Sequence, residues 1–272
     1  MNNLRVALYC LIGGLVMTIG ASGTGGFGWW WLAGILFATA FAPVALFGPR
    51  GWFAQFGVIV PVFMMVTVLC LWSEALIFVP VFQQHAVRNL VAPAVMYAIL
   101  AAVLAALAVI LKLTKAEGPA PELRSAGKVA ALILVCGFAY AFYYLLFGGI
   151  TYQFFTKGYY PEATAQVAKL GVWFWPMQIG RGVLMTLAAL PAIRTLRLSR
   201  WQTAIAIGVL IWVAGGLAPL VLPNDVMGPR QRFIHVIEIF TQNASLGVTA
   251  GLLLRKRQAH AAGVVPSPAV AA

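Results

Sequence analysis

The chain has 272 residues, of which 62% are hydrophobic and 9% charged, and its mean hydropathy of +0.92 excludes an ordinary soluble globular domain. A net charge of +12 does not point to nucleic acid, because the bases lie singly or in small groups at the ends of apolar runs and no soluble basic domain exists to hold a polynucleotide. The class that remains is an all-α, polytopic integral membrane protein with the lipid bilayer as its first partner.

Eight apolar segments follow one another, at roughly 4–22, 28–47, 56–80, 91–112, 128–150, 171–193, 202–222 and 229–254, each long enough to cross a bilayer. The first resembles a secretory signal peptide, with Arg5, an apolar core and the small residues Ala21, Ser22 and Gly23. It lacks an A-x-A cleavage site and the eight-span count needs it, so it is read as a span. With the N-terminus inside, the inner side collects twelve bases, from Arg5 and Arg50 through the clusters around Lys115, Arg197 and Arg255. The outer side holds five: Arg88, Lys157, Lys169, Arg230 and Arg232. That bias predicts both termini on the cytoplasmic side of a cell membrane, most simply the cytoplasmic (inner) membrane.

The segments fall into two four-helix halves, 1–116 and 128–257. An inner linker at 117–127, with Glu117, Pro119, Pro121 and Glu122, joins them, and a tail at 258–272 reads as disordered. The halves carry parallel landmarks. Trp29, Trp30 and Trp31 lead into Gly34, Leu36, Ala40 and Pro43, then Arg50 and Trp52; Trp173 and Trp175 lead into Gly182, Leu184, Ala188 and Pro191, then Arg200 and Trp201. Repeats of four spans each would share one orientation. The Trp clusters, and the tyrosines Tyr143, Tyr144, Tyr152, Tyr159 and Tyr160, are expected as anchors at headgroup level. The outer connection from Thr151 to Leu170 is also long enough to act as a lid.

The last segment carries the main functional signal. Gln231, His235, Glu238, Gln242, Ser245 and Thr249 follow at steps of four and three, which puts them on one helix face over about 27 Å. Two further spans carry ionisable groups where lipid penalises them. Glu74 lies in the outer third of the third span, and Arg181 lies within the sixth, one turn after Gln178. An unpaired charge at mid-membrane costs about 2.5 to 3.5 kcal/mol even on the lenient insertion scale. Arg181 is therefore expected to pair with Glu238 or Glu74. Pro176 is expected to bend its helix nearby, making a guanidinium site for an anion or carboxylate.

His235 and Glu238 are one turn apart and can meet one ligand or one proton. With Glu74 and His85 they would make a two-His, two-Glu set suited to zinc or iron. His-x-x-Glu is a common spacing and Arg181 opposes a cation, so no metal or other cofactor is predicted. Cys10, Cys70 and Cys136 lie singly in apolar segments and read as small hydrophobes. No mid-span lysine offers a Schiff base, no second in-span histidine offers haem ligation, and no nucleophile triad is present.

The substrate-binding or proton-coupling candidates are thus Glu74, Gln178, Arg181, His235, Glu238 and Gln242; no catalytic residue is assigned. The leading expectation is a permease-like carrier of a small solute or ion with proton coupling. The alternatives are an accessory subunit of a membrane assembly, with a membrane-protein partner or a second copy, and an integral membrane enzyme acting on a lipid or lipid-linked substrate.

Overall fold

A computed structural model describes residues 2–20, 26–78, 84–115, 118, 121–122, 124–158, 163–224 and 227–256. The tail at 258–272 and most of the linker lie outside these residues. Helix accounts for 87% of the described residues, and none of them forms a strand. The helices are α1 (2–20), α2 (Gly26–Phe47), α3 (52–78), α4 (Ala86–Ile110), α5 (Ala126–Thr156), the short α6 (Ala163–Leu170), α7 (Phe174–Thr195), α8 (Arg200–Val221) and α9 (Pro229–Leu254). The eight long ones coincide with the eight apolar segments to within a few residues.

Six of them, α2, α3, α4, α5, α8 and α9, are long and apolar enough to cross a membrane. Helix α1 is shorter, and the 22 residues of α7 are diluted by Gln178, Arg181 and Arg194. Length and composition therefore give six candidate spans where the sequence reading counts eight. The connection predicted from Thr151 to Leu170 is also largely helical, since α5 runs to Thr156 and α6 begins at Ala163.

Within α1–α4, α1 packs on α2 and α4, and α3 packs on α4; within the later set, α5 packs on α7 and α9, and α8 packs on α9. The sets meet through α2 against α8, and through α3 against both α7 and α8. In a bilayer, apolar burial gives helices no advantage over lipid contact, so close approach through small residues holds such crossings. A Cβ on Gly182 would fall 3.0 Å from the Gly137 Cα, and one on Gly247 would fall 2.6 Å from the Gly208 Cα. Gly34 lies equally close against the Gly14 backbone in the α1–α2 crossing. Aromatic rings fill the middle of the first set: Phe37, Phe63 and Tyr97 have centroids 5.2 to 5.4 Å apart.

Helix ends at the basic end of the bundle are closed by loops and arginines. The last four carbonyls of α2 would have no partner within the helix. Each is met: Gly48 N donates to Val44 O (2.9 Å), the Thr114 hydroxyl to Ala45 O (3.0 Å), Lys115 N to Leu46 O (2.8 Å) and Arg197 N to Phe47 O (2.8 Å). The Arg200 and Arg124 side chains donate to Leu252 O and Leu253 O at the end of α9. The buried Arg255 donates to Leu196 O and Leu198 O beyond α7, and to the Thr203 hydroxyl. Several of the bases that read as topology signals thus also cap helix C-termini, where a cation is favoured.

Candidate functional site

The ionisable groups of α3, α7 and α9 converge in the half of the bundle away from the basic end. Arg181 on α7 is 5% exposed. Its Nη2 donates to Glu74 Oε2 on α3 at 2.7 Å, and its Nη1 donates to Gln178 Oε1 at 3.0 Å. Burying a guanidinium requires such a partner, because an uncompensated charge in this environment would be severely destabilising. Gln178 is the residue one turn earlier, as helix periodicity requires.

On α9, His235 Nδ1 and Glu238 Oε2 lie 2.9 Å apart, and Gln242 Nε2 donates to Glu238 Oε1 at 3.2 Å. The carboxylate is therefore held from the turn before it and the turn after it. Side-chain exposures are 18% for Glu74, 12% for Glu238 and 20% for His235, while Gln178 and Gln242 are buried.

Helix α5 joins the two groups. The Tyr144 hydroxyl donates to Glu74 Oε1 at 3.5 Å, and the Arg181 guanidinium lies 5.7 and 5.9 Å from the Tyr140 and Tyr144 ring centres, within cation–π range. One turn later Gly148 leaves room for the α9 pair: a Cβ there would fall 3.1 Å from Gln242 Nε2 and 3.2 Å from Glu238 Oε1. Tyr140, Tyr144 and Gly148 recur at steps of four, one face of α5. That spacing was legible in the sequence. The anchoring role expected of Tyr144 is corrected by its ring and hydroxyl, which turn to Arg181 and Glu74.

The remaining stripe residues separate by role. Gln231 closes the start of α9, its Oε1 accepting from Gly228 N at 2.8 Å, and Thr249 shares a 2.9 Å hydrogen bond with Tyr143 on α5. Asn243, absent from the stripe, is buried against Gly215 of α8. A π-helical turn over Phe240–Ala244 explains why: the extra residue per turn shifts the helix phase that a constant 3.6-residue period would give. Wide turns of this kind also interrupt α3 at Val62–Cys70, α5 at Tyr144–Gly148 and α8 at Val213–Leu217. They recur in proteins at functional sites.

Two expectations change. Pro176 stands in the first turn of α7, which begins at Phe174; its missing N–H would have had no helical partner there, so it does not bend the helix at Arg181. The chain instead breaks at Gly171, whose φ of 53° favours glycine. His85 lies exposed just before α4. Among the described residues, no three His, Cys, Asp or Glu side chains gather as a metal-binding group.

Three buried polar atoms in this region have no hydrogen-bond partner: Gln178 Nε2, Arg181 Nε and Asn243 Oδ1. Such atoms are few in native interiors. The cluster as a whole presents two carboxylates, one guanidinium and one imidazole. With both carboxylates ionised its net charge is −1 or 0, according to whether the imidazole carries a proton. The chain matches no family model, no curated protein and no solved structure in comparisons with each.

Proposed function

We propose that this multi-pass membrane protein is a permease-like carrier of a small solute or ion, with Glu238 and His235 as its proton- or cation-handling pair. The supporting observation is the difference between the two carboxylates: Arg181 is held by Glu74, whereas the partners of Glu238 are the His235 imidazole and the Gln242 amide. The pairing turns the anion-binding role expected of Arg181 into a positioning role. The guanidinium fixes Glu74, Tyr144 and the α3–α7 contact around the working pair. Eight crossings in two parallel four-helix repeats, with both termini cytoplasmic in the inner membrane, complete the reading. The matching glycine crossings at Gly34 and Gly182, and the basic end with its many arginines, support it.

The test is proton flux in liposomes carrying the purified protein and an internal pH dye, with a panel of small cationic and neutral solutes outside. We expect a solute-dependent flux that falls at least about tenfold in Glu238→Gln, the scale of a lost proton-transfer group. Wild-type flux in Glu238→Gln, or no flux with any solute, would overturn the reading. The accessory-subunit reading is favoured by one observation, the direct side-chain pairing throughout the cluster. It predicts that Glu238→Gln lowers thermal stability while cellular function persists.

A further inference from the structure

At the basic end, the turn after α2 (Gly48, Pro49, Arg50), the segment after α4 (Thr114, Lys115, Pro121) and the end of α7 (Arg194, Thr195, Arg197) enclose a cavity of about 460 Å³. Four cations from both halves line it, and none of its lining residues among the described ones is acidic. Its volume is in the range of small-molecule sites. Bases spread by membrane topology alone would lie around the loops without enclosing a void.

The backbone sets this arrangement. Lys115 N and Arg197 N donate to adjacent carbonyls, Leu46 and Phe47, so the two cationic residues leave neighbouring points at the end of α2. The Lys115 ammonium lies 5.8 Å from the Phe47 ring centre, and the Gln55 amide donates to Pro49 O at 2.6 Å, fixing the turn that carries Arg50. Arg50 and Arg194 line the cavity and are exposed. Converging guanidiniums and an ammonium on a preformed concavity suit the oxygens of a phosphate group.

We propose that this cavity binds a phosphate-bearing anion, either the headgroup of an anionic phospholipid or a free phosphate compound, bridging the two halves. The site is separate from the Glu74–Arg181 cluster and does not depend on the carrier reading.

The test uses the full-length protein in nanodiscs of phosphatidylcholine with or without phosphatidic acid, followed by lipid retention in native mass spectrometry, and in parallel titrates the detergent-solubilised protein with inorganic phosphate. Arg50→Gln/Arg194→Gln is compared with Arg5→Gln/Lys128→Gln, which removes the same charge elsewhere at the same end; Lys115→Gln is a second cavity variant. Binding should fall about fivefold for each cavity cation removed and stay at the wild-type level in the control pair. Retention of phosphatidic acid without a phosphate response identifies a lipid headgroup, and a phosphate response that competes with the lipid identifies a soluble phosphate. Equal retention of both lipids with no phosphate response, or equal losses in the cavity and control variants, overturns the proposal.

Discussion

Both four-helix sets have apolar cores, but among the described residues only the second carries an ionisable cluster at one end of its interior. Between α2, α3 and α4 the space is taken by Phe37, Phe63 and Tyr97, edge-on or stacked. Between α5, α7 and α9, with the end of α3, it is taken by Arg181, Glu74, Glu238, His235 and two tyrosines. Both sets are closed by glycine crossings of the same kind. The first set thus packs through aromatic rings and glycine crossings without an ion pair among its described residues.

The sharpest way to break this contrast is to unbalance the buried pair. Glu74→Gln leaves Arg181 without its counter-charge and should cost about 3 to 5 kcal/mol, read as a loss of thermal stability in detergent. Arg181→Met/Glu74→Gln should recover most of it, since removing both charges removes the penalty as well. A double variant as unstable as the single one would mean that the pair is the fastening of the set. Phe63→Ala in the aromatic interior should cost about 3 kcal/mol through lost packing and a residual cavity, while solute-dependent flux per folded molecule stays unchanged. A flux defect there would erase the division between the two interiors. The smallest change is Gly148→Ala. Its Cβ would press on Glu238 and Gln242 at 3.1 to 3.2 Å, for a stability loss of about 1 kcal/mol but a flux loss out of proportion to it. Equal, small effects on both readouts would show that the Glu238 geometry is not demanding.

The all-helical class and the approximate helix placement were legible because apolar runs separated by charged turns leave few alternatives in a membrane, whereas length and composition give six candidate spans against the eight counted. The convergence of Glu74, Arg181 and Glu238 was legible for the same reason, as isolated charges are driven to one another. The choice of Glu74 over Glu238 for Arg181 was not, because both acids are at comparable depth and only the rotation of α7 against α3 decides. The phase of α9 beyond Phe240 was hidden too. Periodicity assumes a constant pitch, and nothing in Phe240–Ala244 announces a wide turn, so Asn243 was overlooked. The arginine caps escaped because the charge bias across the membrane already accounts for Arg124, Arg200 and Arg255 without any partner. Tyr144 escaped because an aromatic near a span end has an ordinary interfacial role, and only its register with Tyr140 and Gly148 marks it out.

The closure of α2 at Val44 to Phe47 has a mechanical corollary. Two connections distant in the chain, the one after α4 and the one after α7, are tethered to this single helix terminus through hydrogen bonds of 2.8 to 3.0 Å, so the two halves are hinged together at this extremity. Rocking of one half against the other would leave that hinge nearly still and have its greatest amplitude at the far end of the bundle, where Tyr144 meets Glu74 and Gly148 meets Glu238.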